Sequence, residues 1–181
     1  ETMAMQANLY DGCTMGDLVQ RAIERGGDRV AFILDEQRIT YRDFWARSLR
    51  LASALVKRGI GKGDTVTAML SNTPGMLEVH YGVPLTKAVL HCLNTRLDAA
   101  IIAFQLDHAE TKILLVDREY SAVVKEALAI AKVKPLVIDY DDPNYPDDAP
   151  YPKGPRIGSL DYEELIAAGD PDFAWSMPDD E

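Results

Sequence analysis

The chain is poor in the residues that several function classes require. It has only two cysteines among 181 residues, Cys13 and Cys92. Two widely separated thiols make no disulfide framework, and reduced thiols of a cytosolic protein are the default. His91 and Cys92 are adjacent but lack the paired ligand spacing of a metal site. Basic residues are outnumbered, with 19 Lys and Arg against 29 Asp and Glu, for a formal net charge of −10. Nucleic acids and anionic membranes select excess basic charge, so neither is expected as a partner. No apolar run approaches the roughly 20 residues that span a bilayer, so no transmembrane segment is expected. The first residues, from Glu1 to Met5, lack the charged-then-apolar layout of a secretion signal. The expected location is cytoplasmic, with Met3 or Met5 as alternative natural starts.

What is present describes a globular domain. Hydrophobic residues make up 47% and charged residues 27%, enough for one domain with a real core. The acidity is not spread evenly. Residues 139–181 contain 13 acidic and 2 basic side chains, which leaves residues 1–138 at a net +1. Two parts are therefore expected: an α/β subdomain over 1–138, and an acidic, Pro-rich connector over 139–181. The connector has five prolines between 139 and 158, a loop composition. One short helix is expected there, from Ser159 to Ala168.

Periodicity orders the body. Thr14 and Asp17 mark a helix start, a partial capping box with Asp in place of Glu or Gln. Leu18, Val19, Ala22 and Ile23 form its apolar stripe, and Gly26-Gly27 ends it. Val30–Leu34 and Arg38–Tyr41 flank a turn and read as a β-hairpin. Thr40 suits the N-cap of the next helix. There Phe44, Ser48, Leu51, Ala52 and Leu55 share a face, with Arg42, Arg47, Arg50 and Arg58 largely elsewhere. Gly59 is a natural residue just past its end. A buried strand is expected at Thr65–Leu70, a buried-looking one at Ala88–Leu93, and strands at Lys112–Val116 and Pro135–Ile138. Helices are expected from Pro74 to about Tyr81, after the Asp98 cap, and from Tyr120 to Ala131. Pro84 cannot continue the first of these. Strands alternating with amphipathic helices imply an α/β fold, a largely parallel sheet flanked by helices.

No chemistry stands out from the residues alone. The glycines at 59, 61 and 63 follow a helix and precede a strand, whereas a phosphate loop follows a strand and opens a helix. His80, His91 and His108 read as structural: one in a helix, one in a buried-looking strand, one at a helix end where positive charge is favoured. The acids Asp141, Asp142, Asp147 and Asp148 lack the glycine and terminal Glu of a calcium loop. A receiver-type signalling domain would need an acidic pocket at strand ends. Asp117 and Asp139 end strands, but the strands at Thr65 and Ala88 end in Leu70-Ser71 and Leu93-Asn94, a poor match. No residue of the chain is assigned as catalytic, cofactor-binding or metal-ligating.

An ordered set of segments resembles the N-terminal part of the AMP-forming acyl-CoA synthetases, within the adenylating enzyme superfamily. The pieces are Ile39–Asp43, Leu51–Leu55 with Gly59-Ile60 and Gly63-Asp64, Ser71-Asn72, Lys87–Leu97, Asp107–Glu110 and Leu114–Asp117. Lys87 stands where the family usually has glycine, which bears on the local turn. The run Asn94-Thr-Arg-Leu97 looks most like medium- and long-chain fatty-acyl ligases. The resemblance implies a parent that joins a fatty acid to CoA through an acyl-adenylate, using Mg-ATP. It also implies that the Ser/Thr/Gly-rich phosphate loop, the adenine motif and the catalytic lysine lie beyond position 181. The family's functional residues therefore map to no position here. The chain alone is expected to bind no cofactor and to be inactive. Its main partner is expected to be the remainder of the same polypeptide, and a homodimer is compatible. The alternative is a self-sufficient α/β binding or interaction module without catalysis.

Overall fold

The computed structural model describes residues 14–146, 148–149 and 152–176. Cys13 lies outside them. Helix α1 (Met15–Gly26) starts at Thr14, and Asp17 completes the capping box: Thr14 Oγ1 accepts from Asp17 N, and the Asp17 carboxylate accepts from Thr14 N at 3.0 Å. Strands β1 (Val30–Leu34) and β2 (Gln37–Thr40) form the antiparallel hairpin, turning at Asp35 with φ 51°. Thr40 caps α2 (Tyr41–Val56) by accepting from Asp43 N at 3.1 Å.

The body alternates strand and helix as expected: β3 (Thr65–Met69), α3 (Pro74–Gly82), β4 (Val89–Cys92), α4 (Ala99–His108), β5 (Ile113–Asp117), α5 (Ser121–Ile130) and β6 (Leu136–Tyr140). One-turn 3₁₀ segments cover Pro84–Thr86 and Arg118–Tyr120. The second of these takes Tyr120, so α5 begins one residue later than the periodicity suggests. The acidic segment contributes β7 (Leu160–Asp161) and α6 (Tyr162–Ala167). The helix expected from Ser159 is thus shorter. Its first residues pair with Ile138 and Asp139 instead, because a sheet edge offers the backbone more than a lone turn does. Past Ile138 the chain does more than connect. Tyr162, Leu165 and Ile166 are buried in the main core.

The five-stranded sheet has the order β4-β3-β5-β6-β7, and every pairing is parallel. Alternation along each strand sorts its side chains between two layers. Val66, Ala68, Ile113 and Leu115 face α2, α3 and α6, where Leu51, Leu55, Val79 and Leu165 are fully buried. Met69, Leu114 and Val116 face α4 and α5, against Ile102, Leu106, Val124 and Ala127. Each such aliphatic side chain contributes about 1.5–3 kcal/mol when taken fully out of water. A third cluster, including Phe44, Trp45 and Val19, joins the outer face of α2 to α1 and the hairpin. The strand at Ala88 differs from expectation. It is an outer strand, with Val89 and Cys92 exposed and His91 half-buried, because its apolar residues meet helices on the faces but no neighbour on one side.

Candidate functional site

In a parallel sheet, ligands gather at the carboxyl ends of the strands, where successive connections diverge. Here the chain leaves β3 toward β4 and returns to the other side of β3 as β5. Ser71 follows β3, and Glu119 and Tyr120 follow β5. They meet in that crevice: Ser71 Oγ donates to Glu119 Oε2 at 3.0 Å and lies 2.7 Å from the Tyr120 hydroxyl. With the serine proton on Glu119, Tyr120 is the donor of the second bond. Burial pushes the Tyr120 hydroxyl pKa up.

Deeper at the same edge are two buried carboxyls. Asp139 uses both oxygens to accept from Ile157 N at 3.1 Å and Gly158 N at 2.9 Å. Asp117 accepts from Glu119 N at 3.0 Å through Oδ1, while Oδ2 meets no donor among the described residues. Burial pushes its pKa up to about 6, and the nearby Asp142 and Glu119 add to the rise. Asp117 and Asp139 were legible in the sequence as strand-end acids. Their seclusion was not.

On the opposite layer a cleft of about 270 Å³ opens between β2, α2, α3 and the β6–β7 region. Arg47 grips Glu78 through Nε and Nη2, and Glu163 through Nη2 at 2.6 Å and Nη1 at 3.0 Å. The Tyr162 hydroxyl donates to Glu78 Oε2 at 2.8 Å. Burial raises the Glu78 pKa, and Arg47 works against the rise. Arg47, Glu78, Tyr162 and Glu163 are bound to one another, so the cluster ties α2, α3 and α6 together. Beside it, Phe32, Ile33, Leu34, Met76 and Leu77 wall an apolar groove of about 340 Å³, with Asn72 and His80 at its rim.

The three histidines are scattered. His80 Nδ1 sits 2.7 Å from Met76 O, so that nitrogen carries the proton and Nε2 faces Cys92 Sγ at 4.0 Å. This thiol–imidazole pair was missed in the sequence, because the α3–β4 connection closes it from residues twelve apart. A backbone carbonyl rather than a carboxylate stands behind His80, and partial desolvation of the exposed residue's sulfur raises the Cys92 pKa. That is the opposite of an activated nucleophile. His91 meets Thr67 Oγ1 at 3.2 Å, and burial lowers its pKa. His108 stacks on Phe104 with centroids 5.7 Å apart. Among the described residues, no three His, Cys, Asp or Glu side chains are grouped to hold a metal ion.

Comparison with known proteins decides what this arrangement belongs to. The family model described as "AMP-binding enzyme" matches residues 19–172. The chain belongs to that family. It is 36% identical over 160 residues to the peroxisomal acetate/butyrate–CoA ligase AAE7 of Arabidopsis thaliana, covering 84% of this chain and 28% of that protein. It is 34% identical over 189 residues to the acetate–CoA ligase CCL3 of Humulus lupulus, covering 100% and 33%. The chain thus spans about a third or less of these relatives. The fold matches that of the anthranilate CoA ligase AuaEII, solved with anthranoyl-AMP, at a TM-score of 0.76 and 15% identity, over 89% of this chain and 29% of that one.

The residues that carry the AMP-binding family resemblance sit at joints of the fold. Thr40 caps α2, Gly59 and Gly63 have φ of 82° and 83°, and Lys87 has φ 64°. Asp64 accepts from Gly61 N at 2.9 Å and pairs with Lys112. Asp107 Oδ1 accepts from Lys132 N at 2.8 Å and Val133 N at 2.9 Å, pinning the end of α5 to α4.

Proposed function

We propose that this chain is part of an AMP-forming acid–CoA ligase, which joins a carboxylic acid of the fatty-acid class to CoA through an acyl-adenylate. The observation that carries the reading is the family match over residues 19–172, together with CoA-ligase relatives at 34–36% identity. The chain's own role is architectural. Its sheet and helices present the β3–β5 crevice and the apolar groove between β1 and α3 to the rest of the enzyme, and the groove serves as one wall of the acyl site. An aliphatic lining of this kind suits an acyl chain, which needs burial more than hydrogen bonds.

Mg-ATP and CoA are substrates of the parent. Phosphate transfer chemistry needs a cradle of backbone amides and a cation to offset charge. By the family resemblance, those groups belong to other parts of the parent polypeptide. No reaction step is therefore placed on this chain. Among the described residues no helix is long and apolar enough to cross a membrane, and a cytoplasmic enzyme is proposed.

The test is ATP–pyrophosphate exchange with acids from acetate to long-chain fatty acids, and benzoate. The 181-residue chain is expected to show none. Exchange above background with any of these acids would refute the architectural role.

A further inference from the structure

The β5 end holds a device that the ligase reading does not use. Asp117 is 1% exposed and Ser121 0%. Asp117 Oδ2, Ser121 Oγ and Asn144 Nδ2 are buried without partners among the described residues. Around them, the segment after β6 (residues 141–146 and 152–157) is sewn to the β5–α5 turn. Arg118 Nη1 reaches Asp141 Oδ2 at 2.8 Å, and Arg118 Nε donates to Gly154 O at 3.0 Å. Gly154 N returns a bond to Arg118 O at 3.0 Å. A Cβ on Gly154 would lie 2.8 Å from Ser121 Cβ, so the two backbones are in close contact.

We propose that the Asp117 carboxyl is a proton-operated latch, which holds this segment closed when neutral and loosens it when ionised. A neutral carboxyl carries no charge into a low-dielectric site. The ionised form has one backbone bond and faces unfavourable neighbours. Glu119 lies on its own turn and Asp142 on the segment after β6, and both disfavour its charge. Lys153 alone among the facing groups favours it, but Lys153 is engaged by the Asp141 carboxylate and by Asp142 O at 2.6 Å. Arg118 is spent on Asp141. On the adjacent strand, Tyr140 lies opposite Asp117, and the Asp139 carboxylate is held by Ile157 and Gly158. Opening the segment admits water to the charge, which is the least costly relief available.

The sign follows from the direction of the shift. The folded-state pKa, about 6, lies above the ordinary carboxylate value. Closure is therefore complete below about pH 4 and is lost as the pH rises through about 6. Between about pH 4, where the opened form ionises, and about 6, where the closed form does, opening gains up to about tenfold per pH unit, and it levels off above that.

Hydrogen exchange of peptides from 141–146 and 152–157, corrected for intrinsic rates, reads this out between pH 5 and pH 8. The wild-type chain should lose protection by about tenfold, and Asp117→Asn should stay closed throughout. Flat wild-type protection, or the same loss in Asp117→Asn, overturns the proposal. Carboxyl carbon NMR on the wild-type chain gives a readout independent of that variant. A midpoint near 6 supports the latch, and one below about 4.5 overturns it.

Discussion

Gly169→Ala should be among the most damaging single-methyl changes in this chain. Gly169 follows α6 where the segment crosses α2, and it is buried. A Cβ there would fall well inside contact distance of Arg50 O, 2.5 Å from Arg50 C and 2.7 Å from Arg50 Cα. These are backbone atoms in mid-helix, so the helix cannot yield and the crossing segment must lift. Three bonds depend on that approach: Lys57 Nζ to Ala168 O at 2.8 Å, Arg50 Nη1 to Gly169 O at 3.0 Å, and Asp170 N to Ser53 Oγ at 3.0 Å. At about 1 kcal/mol each, with about 1 kcal/mol of residual strain, the loss is about 3–4 kcal/mol. For a chain of this length that lowers Tm by about 10 °C. Urea unfolding followed by tryptophan fluorescence measures it directly. The two tryptophans, Trp45 on α2 and Trp175 on the crossing segment, meet edge-on at 5.6 Å. Their emission should also shift in the folded mutant. Gly61→Ala is the control, since its Cβ would meet nothing within 4 Å. A Gly169→Ala protein within about 0.5 kcal/mol of wild type, with unchanged emission, would refute the reasoning.

Other substitutions separate the remaining effects. Lys87→Gly relieves a left-handed residue with φ 64° and should stabilise by up to about 1 kcal/mol after the entropy of glycine is counted, seen as a raised Tm; a lower Tm would mean that the turn needs the lysine. Glu78→Ala removes the buried partner of Arg47 and an acceptor of Tyr162, and should cost about 3 kcal/mol in a denaturation experiment. Glu163→Ala breaks the exposed half of the same cluster and should cost under about 1 kcal/mol; equal losses would show that burial does not set the difference.

Much of the fold was legible because local rules and burial agree. Thr14, Thr40 and Asp98 all cap the helices that their side chains suggest. The runs at Thr65 and Lys112 are buried central strands. Lys87 stands where the resembled family usually has glycine, and it adopts the conformation in which glycine is favoured. What local rules missed depends on neighbours remote in the chain. Leu160 and Asp161 have no strand pattern of their own and become one only beside Ile138 and Asp139. Edge position cannot be read from the apolar run at Ala88, because strand order is set by the crossovers. The buried carboxyls were visible as residues, but their seclusion depends on Gly154 and Ile157 packing back over the strand ends.

The acidity illustrates the same division between composition and contact. An acidic, Pro-rich tail next to a neutral body looks like solvated connector, and its charge looks spent on water. The folded chain uses part of it against α2. Arg47 meets the Glu163 side chain, while Arg50 and Lys57 meet backbone carbonyls just past the end of α6. Ala168 is the residue that caps α6, where carbonyls lack intrahelical partners and cations are favoured whatever the side chains are. The segment therefore docks through its backbone as much as its charge. Raising salt should then weaken the exposed Arg47–Glu163 contact yet leave α6 in place, because Tyr162, Leu165 and Ile166 are fully or nearly fully buried beneath it. A segment whose net charge is large can thus be anchored mainly by apolar burial and close backbone approach, and Gly169 is the residue at which that approach is tightest.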